Sequence, residues 1–253
     1  MGTIIAVVNQ KGGVGKTTTA VNLAAALTEL GLRVLVCDFD PQANATSGFG
    51  IDKRKVKHTS YSMLIEEATA SQAIVKTEYA DVIPSSADLA GAGVELIGMD
   101  HRERQLRKLL GAVREDYDVI FIDCPPSLEM LTLNGLIAAD GILIPVQCEY
   151  YALEGLSDLM ATLRSVKRKL NPTLDIFGVV LTMFDGRINF STQVAQEVRR
   201  HFPGKVFTAS IPRNVRLAEA PSHGLPITAY DRSCRGAAAY RELAQEVAKK
   251  LKR

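Results

Sequence analysis

The stretch that decides the fold is Ile4-Ile5-Ala6-Val7-Val8-Asn9-Gln10-Lys11-Gly12-Gly13-Val14-Gly15-Lys16-Thr17, near the start of the chain. Its apolar run, Ile4–Val8, is typical of a strand that is buried on both faces. A glycine-rich loop follows, and the segment Thr17–Leu30 is predicted to be a helix. A loop between a strand and a helix suits phosphate binding, because backbone N–H groups and the helix N-terminus face the anion.

Short apolar runs recur along the chain, and helical stretches such as Leu131–Ala139 and Leu153–Leu170 separate most of them. The further runs are Val34–Cys37, Val119–Ile122, Ile142–Ile144 and Ile176–Leu181. This alternation predicts an α/β fold with a doubly wound, mostly parallel sheet and helices on both faces. Residues 59 to 114 are less regular, and we predict two or three helices around a short strand at Val82–Ile83.

The composition is that of one globular domain. The 253 residues are 47% hydrophobic and 23% charged, and we find no linker or repeat that divides residues 1–253. The final helix, Gly236 to Lys252, carries an apolar stripe that we expect to pack on the sheet, leaving its lysines in water. The stripe consists of Tyr240, Leu243, Ala244, Val247, Ala248 and Leu251. No run approaches the ~20 apolar residues that span a bilayer, and no signal peptide precedes the first strand, so a cytoplasmic location is expected.

The glycine loop and two strand ends predict a site for a phosphate-bound cation. Ligands of open parallel sheets lie beyond the carboxyl ends of the strands. Lys16 is placed to reach the β- and γ-phosphates, and the Thr17 hydroxyl to bind Mg²⁺. Asp38 and Asp40 end the predicted strand Val34–Asp40, and Asp123 ends the predicted strand Val119–Asp123. Three acids beside a phosphate loop indicate a functional cluster, whereas a single acid at a strand end is usually solvated or caps a helix.

The loop departs from the ordinary phosphate-binding pattern in two places. Gln10 occupies the position of the first glycine, and an extra lysine, Lys11, precedes the glycine pair. Here the sequence resembles the deviant Walker A family, whose signature KGGxGKT is matched in full by Lys11–Thr17. The resemblance implies an ATP/ADP site with Mg²⁺ and a nucleotide-sandwich dimer. It places Lys11 and Gly12 at the dimer interface, with Lys11 reaching the partner's phosphates.

The resemblance also assigns roles to the remaining site residues. Asp123 becomes the Walker B acid that holds Mg²⁺ through water, with Thr17 and Asp38 in the same metal shell. Asp40 orients the attacking water, so Lys11, Lys16 and Asp40 are the implied catalytic residues. The other implied contacts to ATP are Gly12, Gly13, Val14, Gly15, Thr18, Met183, Pro212, Arg213 and Asn214.

Three longer stretches narrow the resemblance to the chromosome-partition ATPases of the ParA (Soj) type. They are Asp40–Gly48, Val146–Gly155 and Ile211–Pro221. Ala43 stands where many relatives have glycine, and we expect no functional change from it. The resemblance implies Mg²⁺-dependent ATP hydrolysis that is slow unless stimulated by a ParB-type centromere-binding protein. It also implies an ATP-driven homodimer that binds double-stranded DNA without sequence preference, and hence association with the nucleoid.

The net charge of +2 conceals an uneven distribution. Residues 187 to 216 carry +5 and residues 236 to 253 carry +3, so the rest of the chain carries −6. Sequence-independent DNA binding needs Lys and Arg side chains that reach phosphates from one face. We therefore predict DNA contacts in the basic C-terminal third, while an ordinary solvated surface remains the alternative. The candidates are Arg187, Arg199, Arg200, Arg216, Lys249 and Lys250, and the family places DNA-binding arginines near Arg187 and Arg216.

Two other functions use the same loop. A MinD-like ATPase that cycles on a membrane anchors itself through an amphipathic terminal helix, whereas the final stripe here is needed for packing, so no membrane partner is expected. An Fe–S reductase that resembles the nitrogenase iron protein holds a cluster between subunits. The four cysteines, Cys37, Cys124, Cys148 and Cys234, contain no CxxC pair, and we interpret them as small buried hydrophobic residues rather than cluster ligands.

Overall fold

The structure is a computed structural model that describes residues 1–149 and 152–252, with side chains from residue 156 onward after the gap. Seven strands form one sheet in the order β3-β2-β4-β1-β5-β6-β7, and every neighbouring pair of these strands is parallel. The strands are β1 (Thr3–Val7), β2 (Val34–Asp38), β3 (Asp81–Ile83), β4 (Val119–Asp123), β5 (Gly141–Gln147), β6 (Asp175–Phe184) and β7 (Val206–Pro212).

Helices connect the strands and cover the two faces of the sheet. The long helices are α1 (Lys16–Glu29), α7 (Met130–Ala138), α8 (Ala152–Lys169), α9 (Asn189–His201) and α12 (Arg235–Leu251). The short helices are α2 (Asn44–Gly48), α3 (Ser60–Leu64), α4 (Ala70–Ala73), α5 (Ala92–Glu95), α6 (Gln105–Gly111), α10 (Val215–Glu219) and α11 (Ile227–Tyr230). The predicted α/β fold with a doubly wound sheet is therefore confirmed.

The core consists of two apolar layers, one on each face of the sheet. Alternate residues of β1 enter different layers, with Ile4 and Ala6 in one and Ile5 and Val7 in the other. Because both faces are buried, the central strands are apolar at nearly every position. This burial explains why their runs were recognisable in the sequence.

One prediction about secondary structure was wrong, and one strand was not predicted. Residues 59 to 114 contain four short α-helices and several 3₁₀ turns, rather than two or three helices. Strand β7 was not predicted, because its residues alternate between buried and exposed instead of forming an apolar run. It is an edge strand of the sheet, and the Glu246 carboxylate of α12 accepts hydrogen bonds from the Thr208 and Ala209 N–H groups at 3.0 and 2.7 Å.

The final helix packs as predicted, except for one lysine. Its residues Tyr240, Leu243, Ala244 and Val247 are buried against α1 and β7. Lys250, however, is not simply in water, because its ammonium group lies over aromatic rings that start β6 and β7. The distances to the ring centroids of Phe177 and Phe207 are 5.1 and 5.6 Å. Within the described residues, no helix is both long and apolar enough to cross a membrane.

Candidate active site

The site lies where the three central strands end. Val7 of β1 and Asp38 of β2 are both register partners of Asp123 in β4, so the two acids stand side by side on adjacent strands. The glycine loop leaves β1 at this edge and enters α1 at Lys16. The topology thus brings the loop and both acidic segments together, as predicted from their positions after strands.

The backbone of the loop depends on two of its glycines. Gly13 and Gly15 have φ angles of +74° and +87°, which residues other than glycine rarely adopt. Gly12 has no such angle, and a Cβ atom added there would meet nothing within 4 Å. The shape of the loop therefore does not require glycine at position 12, and the glycine of the signature has to serve a different purpose there.

Asn9 holds the loop on the sheet, a role that our sequence analysis missed. Its side-chain amide is buried and donates a hydrogen bond to the Pro145 carbonyl of β5 at 2.7 Å. Its Oδ1 atom accepts a hydrogen bond from the Lys11 N–H at 3.0 Å. Asn9 and Pro145 are 136 residues apart in sequence, so no local pattern reveals this contact.

Lys16 is a buried cation, and among the described residues no carboxylate forms a salt bridge with it. Its Nζ atom donates to the Lys11 carbonyl at 3.2 Å. Burial lowers the pKa of Lys16, while the nearby Asp123 and Asp40 oppose that shift. A phosphate group next to Nζ would stabilise the charged form, because the ammonium has lost most of its water.

Asp123 is fully buried, and neither of its carboxylate oxygens has a hydrogen-bond partner among the described residues. Burial and the neighbouring Asp38 raise the pKa of Asp123 well above its usual range. The Thr17 hydroxyl opposes this shift from nearby, although it does not form a hydrogen bond of good geometry with Asp123. Orphaned carboxylate oxygens beside a hydroxyl fit a hydrated Mg²⁺ ion, which takes one or two protein carboxylates and completes its shell with phosphates and water.

Asp38 is also fully buried, but its oxygens are occupied. Oδ2 accepts hydrogen bonds from the Thr46 N–H and hydroxyl groups at 2.7 and 2.6 Å, and Oδ1 accepts one from the Asp40 N–H at 3.3 Å. Burial raises the pKa of Asp38 to about 6, although the bonds from Thr46 oppose the shift. Thr46 also accepts a hydrogen bond from the Ser85 N–H at 2.9 Å, so it ties the acid to the loop after β3.

Replacing Thr46 by valine is expected to destabilise the protein by about 1–3 kcal/mol, because a buried carboxylate and a buried N–H group each lose a partner. Valine keeps the shape of threonine, so packing is conserved. Urea unfolding of Thr46→Val and of Thr46→Ser measures the effect, and the serine variant retains the hydroxyl group. Equal stability of the valine variant and the unmodified protein would show that these bonds contribute nothing.

Asp40 follows Asp38 by two residues and is 8% exposed. Its Oδ1 atom accepts a hydrogen bond from the Gln42 N–H at 2.9 Å, which fixes the turn after β2. The Asp40 carboxylate is also close enough to the Lys16 ammonium to oppose the lowering of the pKa of Lys16. The structure thus places Asp40 beside Lys16 of the glycine loop, and its role toward the attacking water stays a prediction.

A cavity of about 210 Å³ lies beside the loop. This volume is below the roughly 300–1,000 Å³ of pockets that enclose whole drug-sized ligands, so it suits a single ring system such as a base. Six of the predicted ATP contacts line it: Gly15, Thr18, Met183, Pro212, Arg213 and Asn214. Sequence analysis missed the other lining residues, which are Thr182, Ile211, Leu217, Ala218 and Tyr240.

Two features shape this cavity. Met183 has a φ angle of +50°, an unusual conformation for a side chain of its size. The adjacent Thr182 hydroxyl donates to the Val14 carbonyl at 2.8 Å, which links the end of β6 to the phosphate loop. Strained backbone of this kind is concentrated at ligand sites.

One carboxylate connects the loop to the cavity. The Glu149 oxygens lie 3.8 Å from the Lys11 ammonium and 3.5 Å from the Arg213 guanidinium. Glu149 belongs to the stretch Val146–Gly155, and no separate role was predicted for it. Residues 150 and 151 of this stretch and the side chains of 152–155 lie outside the described part of the chain.

The predicted DNA contacts do not form one surface. Arg187 follows the carboxyl end of β6, and Arg216 follows that of β7, on the same edge as the glycine loop. The others lie in the last turns of two helices that return toward the amino edge of the sheet. They are Arg199 and Arg200 of α9 and Lys249 and Lys250 of α12. The fold thus places Arg187 and Arg216 at one edge of the sheet and the other four residues near the opposite edge, and their contact with DNA stays a prediction.

Several of these cations already have acidic partners. Arg187 contacts Asp185 at 2.7 Å and holds the pKa of that carboxyl at about 2. Arg216 contacts Glu219 at 2.9 Å and Asp231 at 3.5 Å. These partners lie outside the segments whose charge was counted in the sequence, so the local charge at each arginine is lower than that count implies.

The chain is similar to known proteins along its whole length. A family model described as an AAA domain matches residues 2–176. The sporulation initiation inhibitor protein Soj of Bacillus subtilis is 56% identical over 250 residues, which cover 98% of this chain and 99% of that protein. The chromosome partitioning protein ParA of Caulobacter vibrioides is 52% identical over 96% of this chain and 93% of its own. The chain belongs to the ParA/Soj family of chromosome-partitioning ATPases.

A solved structure extends the similarity to three dimensions. Cobyrinic acid a,c-diamide synthase from Mycobacterium smegmatis, with bound ADP and magnesium, has a TM-score of 0.87 and 37% identity. The match covers 100% of this chain and 96% of that one. Membership in the ParA/Soj family confirms the resemblance drawn from Lys11–Thr17 and the longer stretches.

Proposed function

We propose that this ParA/Soj family member is an ATP-hydrolysing, Mg²⁺-dependent switch, built as one P-loop domain over residues 1–253. The observation that carries the proposal is the cluster of Lys16, Thr17 and Asp123 at the glycine loop. Within the described part of the chain, the buried Lys16 ammonium forms no salt bridge and the buried Asp123 carboxylate has no hydrogen-bond partner. ATP with bound Mg²⁺ would supply a partner to each group, because the phosphates would pair with Lys16 and the cation with Asp123.

Each residue then has a distinct task. The loop N–H groups around Gly13 and Gly15 bind the phosphates, and the cavity that Met183 and Pro212 line binds the base. Thr17, Asp38 and Asp123 hold Mg²⁺, which neutralises phosphate charge when it is bound. Because phosphoryl transfer needs little covalent chemistry, positioning and charge neutralisation supply most of the catalysis.

We further propose that ATP joins two subunits face to face. The exposed, side-chain-free Gly12 permits close approach of the two loops, and Lys11 at the rim of the site reaches the partner's phosphates. In this arrangement Lys11 acts in trans, as an arginine finger does in other phosphoryl-transfer enzymes. Asp40 orients the attacking water. Hydrolysis removes the ATP that joins the two subunits, and the dimer then dissociates.

The test is Asp40→Asn, with Asp40→Ala beside it. Asparagine preserves the bond to the Gln42 N–H but removes the charge, so we expect ATP binding and dimerisation to persist while hydrolysis falls by about 10²-fold or more. Steady-state ATPase assays and size exclusion with ATP and Mg²⁺ measure the two effects. A variant that hydrolyses ATP normally, or remains monomeric with ATP, contradicts the assignment.

The ATP dimer is proposed to bind double-stranded DNA without sequence preference, to respond to a ParB-type protein and to associate with the nucleoid in the cytoplasm. Arg187 and Arg216 support this on the nucleotide edge of the sheet, where dimerisation doubles the basic surface in one rigid body. The MinD-like alternative is less well supported, because Tyr240, Leu243 and Val247 of the final helix are buried in the core and unavailable to a membrane.

Arg216→Ala is expected to weaken binding to all duplex sequences alike, because it removes a phosphate contact and no base contact. The log–log salt dependence, about −0.9 per neutralised phosphate, should flatten by about one unit per lost contact. Affinities for random duplexes across a salt series, with ATP, with ADP and without nucleotide, measure both effects. Arg33→Ala is the matched control, since Arg33 is an exposed arginine that pairs with Asp118 before β2. Equal affinity in all three nucleotide states, or an unchanged slope, contradicts nucleotide-gated binding.

A further inference from the structure

Glu149 is an acid to which neither the ATP chemistry nor the DNA surface assigns a task. It follows β5, and its side chain is about half exposed at 48%. Its Oε2 atom lies 3.8 Å from the Lys11 Nζ atom, and its Oε1 atom lies 3.5 Å from an Arg213 nitrogen. The Gln147 side-chain amide also donates to Oε1, which fixes the orientation of the carboxylate.

This contact keeps Lys11 inside its own subunit. The side chain of Lys11 is 32% exposed, and its carbonyl oxygen accepts the hydrogen bond from Lys16. To reach the phosphates of a second subunit, the Lys11 ammonium has to leave Glu149. We propose that Glu149 is a positioning residue that retains Lys11 until ATP and a second subunit offer it a phosphate. This inference rests on the sandwich dimer of the proposed function.

The strength of the contact suits a retaining role. A partly exposed ion pair changes an equilibrium by at most about five-fold, whereas the phosphates of ATP carry several negative charges. Lys11 therefore exchanges Glu149 for phosphate when a second subunit binds, and without nucleotide it stays in place. Glu149 keeps a cationic partner after the exchange, because Arg213 contacts its other oxygen.

Glu149→Gln tests the inference, since glutamine has the same shape and can still accept the bond from Gln147. With a non-hydrolysable ATP analogue and Mg²⁺, sedimentation velocity over a range of protein concentrations gives the midpoint of dimerisation. We expect the midpoint to fall by about two- to thirty-fold, because neither of the two Lys11 side chains in a symmetric dimer has to be released any longer. In about 1 M salt the variant and the unmodified protein should converge, since the Debye length is then about 3 Å.

Two further variants separate this role from others. Glu197→Gln is the matched control, because Glu197 also contacts two side chains of basic residues, Arg200 and His201, and lies on α9; its midpoint should be unchanged. In an Arg213→Ala background with saturating analogue, Glu149→Gln should still lower the midpoint, which assigns the effect to Lys11.

The outcomes distinguish the inference from the function on which it rests. An unmodified protein that stays monomeric with the analogue overturns both. If that protein dimerises but Glu149→Gln leaves the midpoint unchanged or raises it, the retaining role alone is overturned. Loss of the effect in the Arg213→Ala background likewise overturns it, because Glu149 would then act through Arg213.

Discussion

Lys16→Ala is expected to abolish measurable ATP binding. Lys16 is the buried cation of the phosphate loop, and burial lowers its pKa although Asp123 and Asp40 lie nearby. Removing one member of a buried charge pair costs about 2–5 kcal/mol or more, which corresponds to at least roughly thirty-fold in affinity. Isothermal titration of ATP in the presence of Mg²⁺ measures the loss.

Lys11→Ala is the control for that experiment, because both residues are lysines of the same loop. Lys11 lies at the rim of the site, with its ammonium group on Glu149. We expect ATP to bind this variant with little change, although hydrolysis is lost if Lys11 acts on the partner's phosphates. ATP binding by Lys16→Ala at the unmodified affinity would place the phosphates elsewhere than the glycine loop.

The parts of the fold that were predictable are those whose physical cause is local. Five strands are buried on both faces and therefore consist of consecutive apolar residues: β1, β2, β4, β5 and β6. Strand β7 escaped because only alternate residues, such as Phe207 and Ala209, are buried. Residues 59 to 114 escaped because their helices are one or two turns long and depend on caps such as Thr59 and Thr69 rather than on a periodic stripe.

The site divides in the same way. Glycines and acids placed directly after strands were predictable, because chain order alone brings the ends of parallel strands to one edge. Asn9, Thr46 and Glu149 were not predicted, since each acts on a group that the fold brings near: Asn9 on β5, Thr46 on Asp38, and Glu149 on Lys11 and Arg213. Supporting residues of this kind show no signal of their own in a single sequence.

The charge count of the sequence also needs the fold before it describes a surface. A basic segment of sequence becomes a basic surface only if its chain stays on one side of the fold. In an α/β fold each connection crosses from one edge of the sheet to the other, so Arg187 and Arg200 lie at opposite ends of this crossing. Acids outside the counted segments, such as Asp185 and Asp231, then lower the local charge further.

Gly12→Val is expected to abolish ATP-dependent dimerisation while monomeric ATP binding survives. A valine side chain fits the subunit, because Gly12 has no left-handed φ angle and its added Cβ meets nothing within 4 Å. Two facing loops in a sandwich dimer leave no such space, and in a two-fold interface each obstruction occurs twice. Hydrolysis should fall with the dimer, since Lys11 of the partner no longer reaches the site.

Sedimentation with an ATP analogue and titration calorimetry measure dimerisation and binding in the same preparation of Gly12→Val. Gly111→Val is the matched control, because Gly111 in α6 also has open space around an added Cβ and no left-handed φ angle. Gly12→Ala should have an intermediate effect, as its side chain is smaller. Gly13→Val, in contrast, should impair ATP binding itself. Gly13 has a φ angle of +74°, and a valine at this angle would strain the loop. Normal dimerisation of Gly12→Val would mean that the loops do not meet face to face, and Lys11 would then have to act within its own subunit.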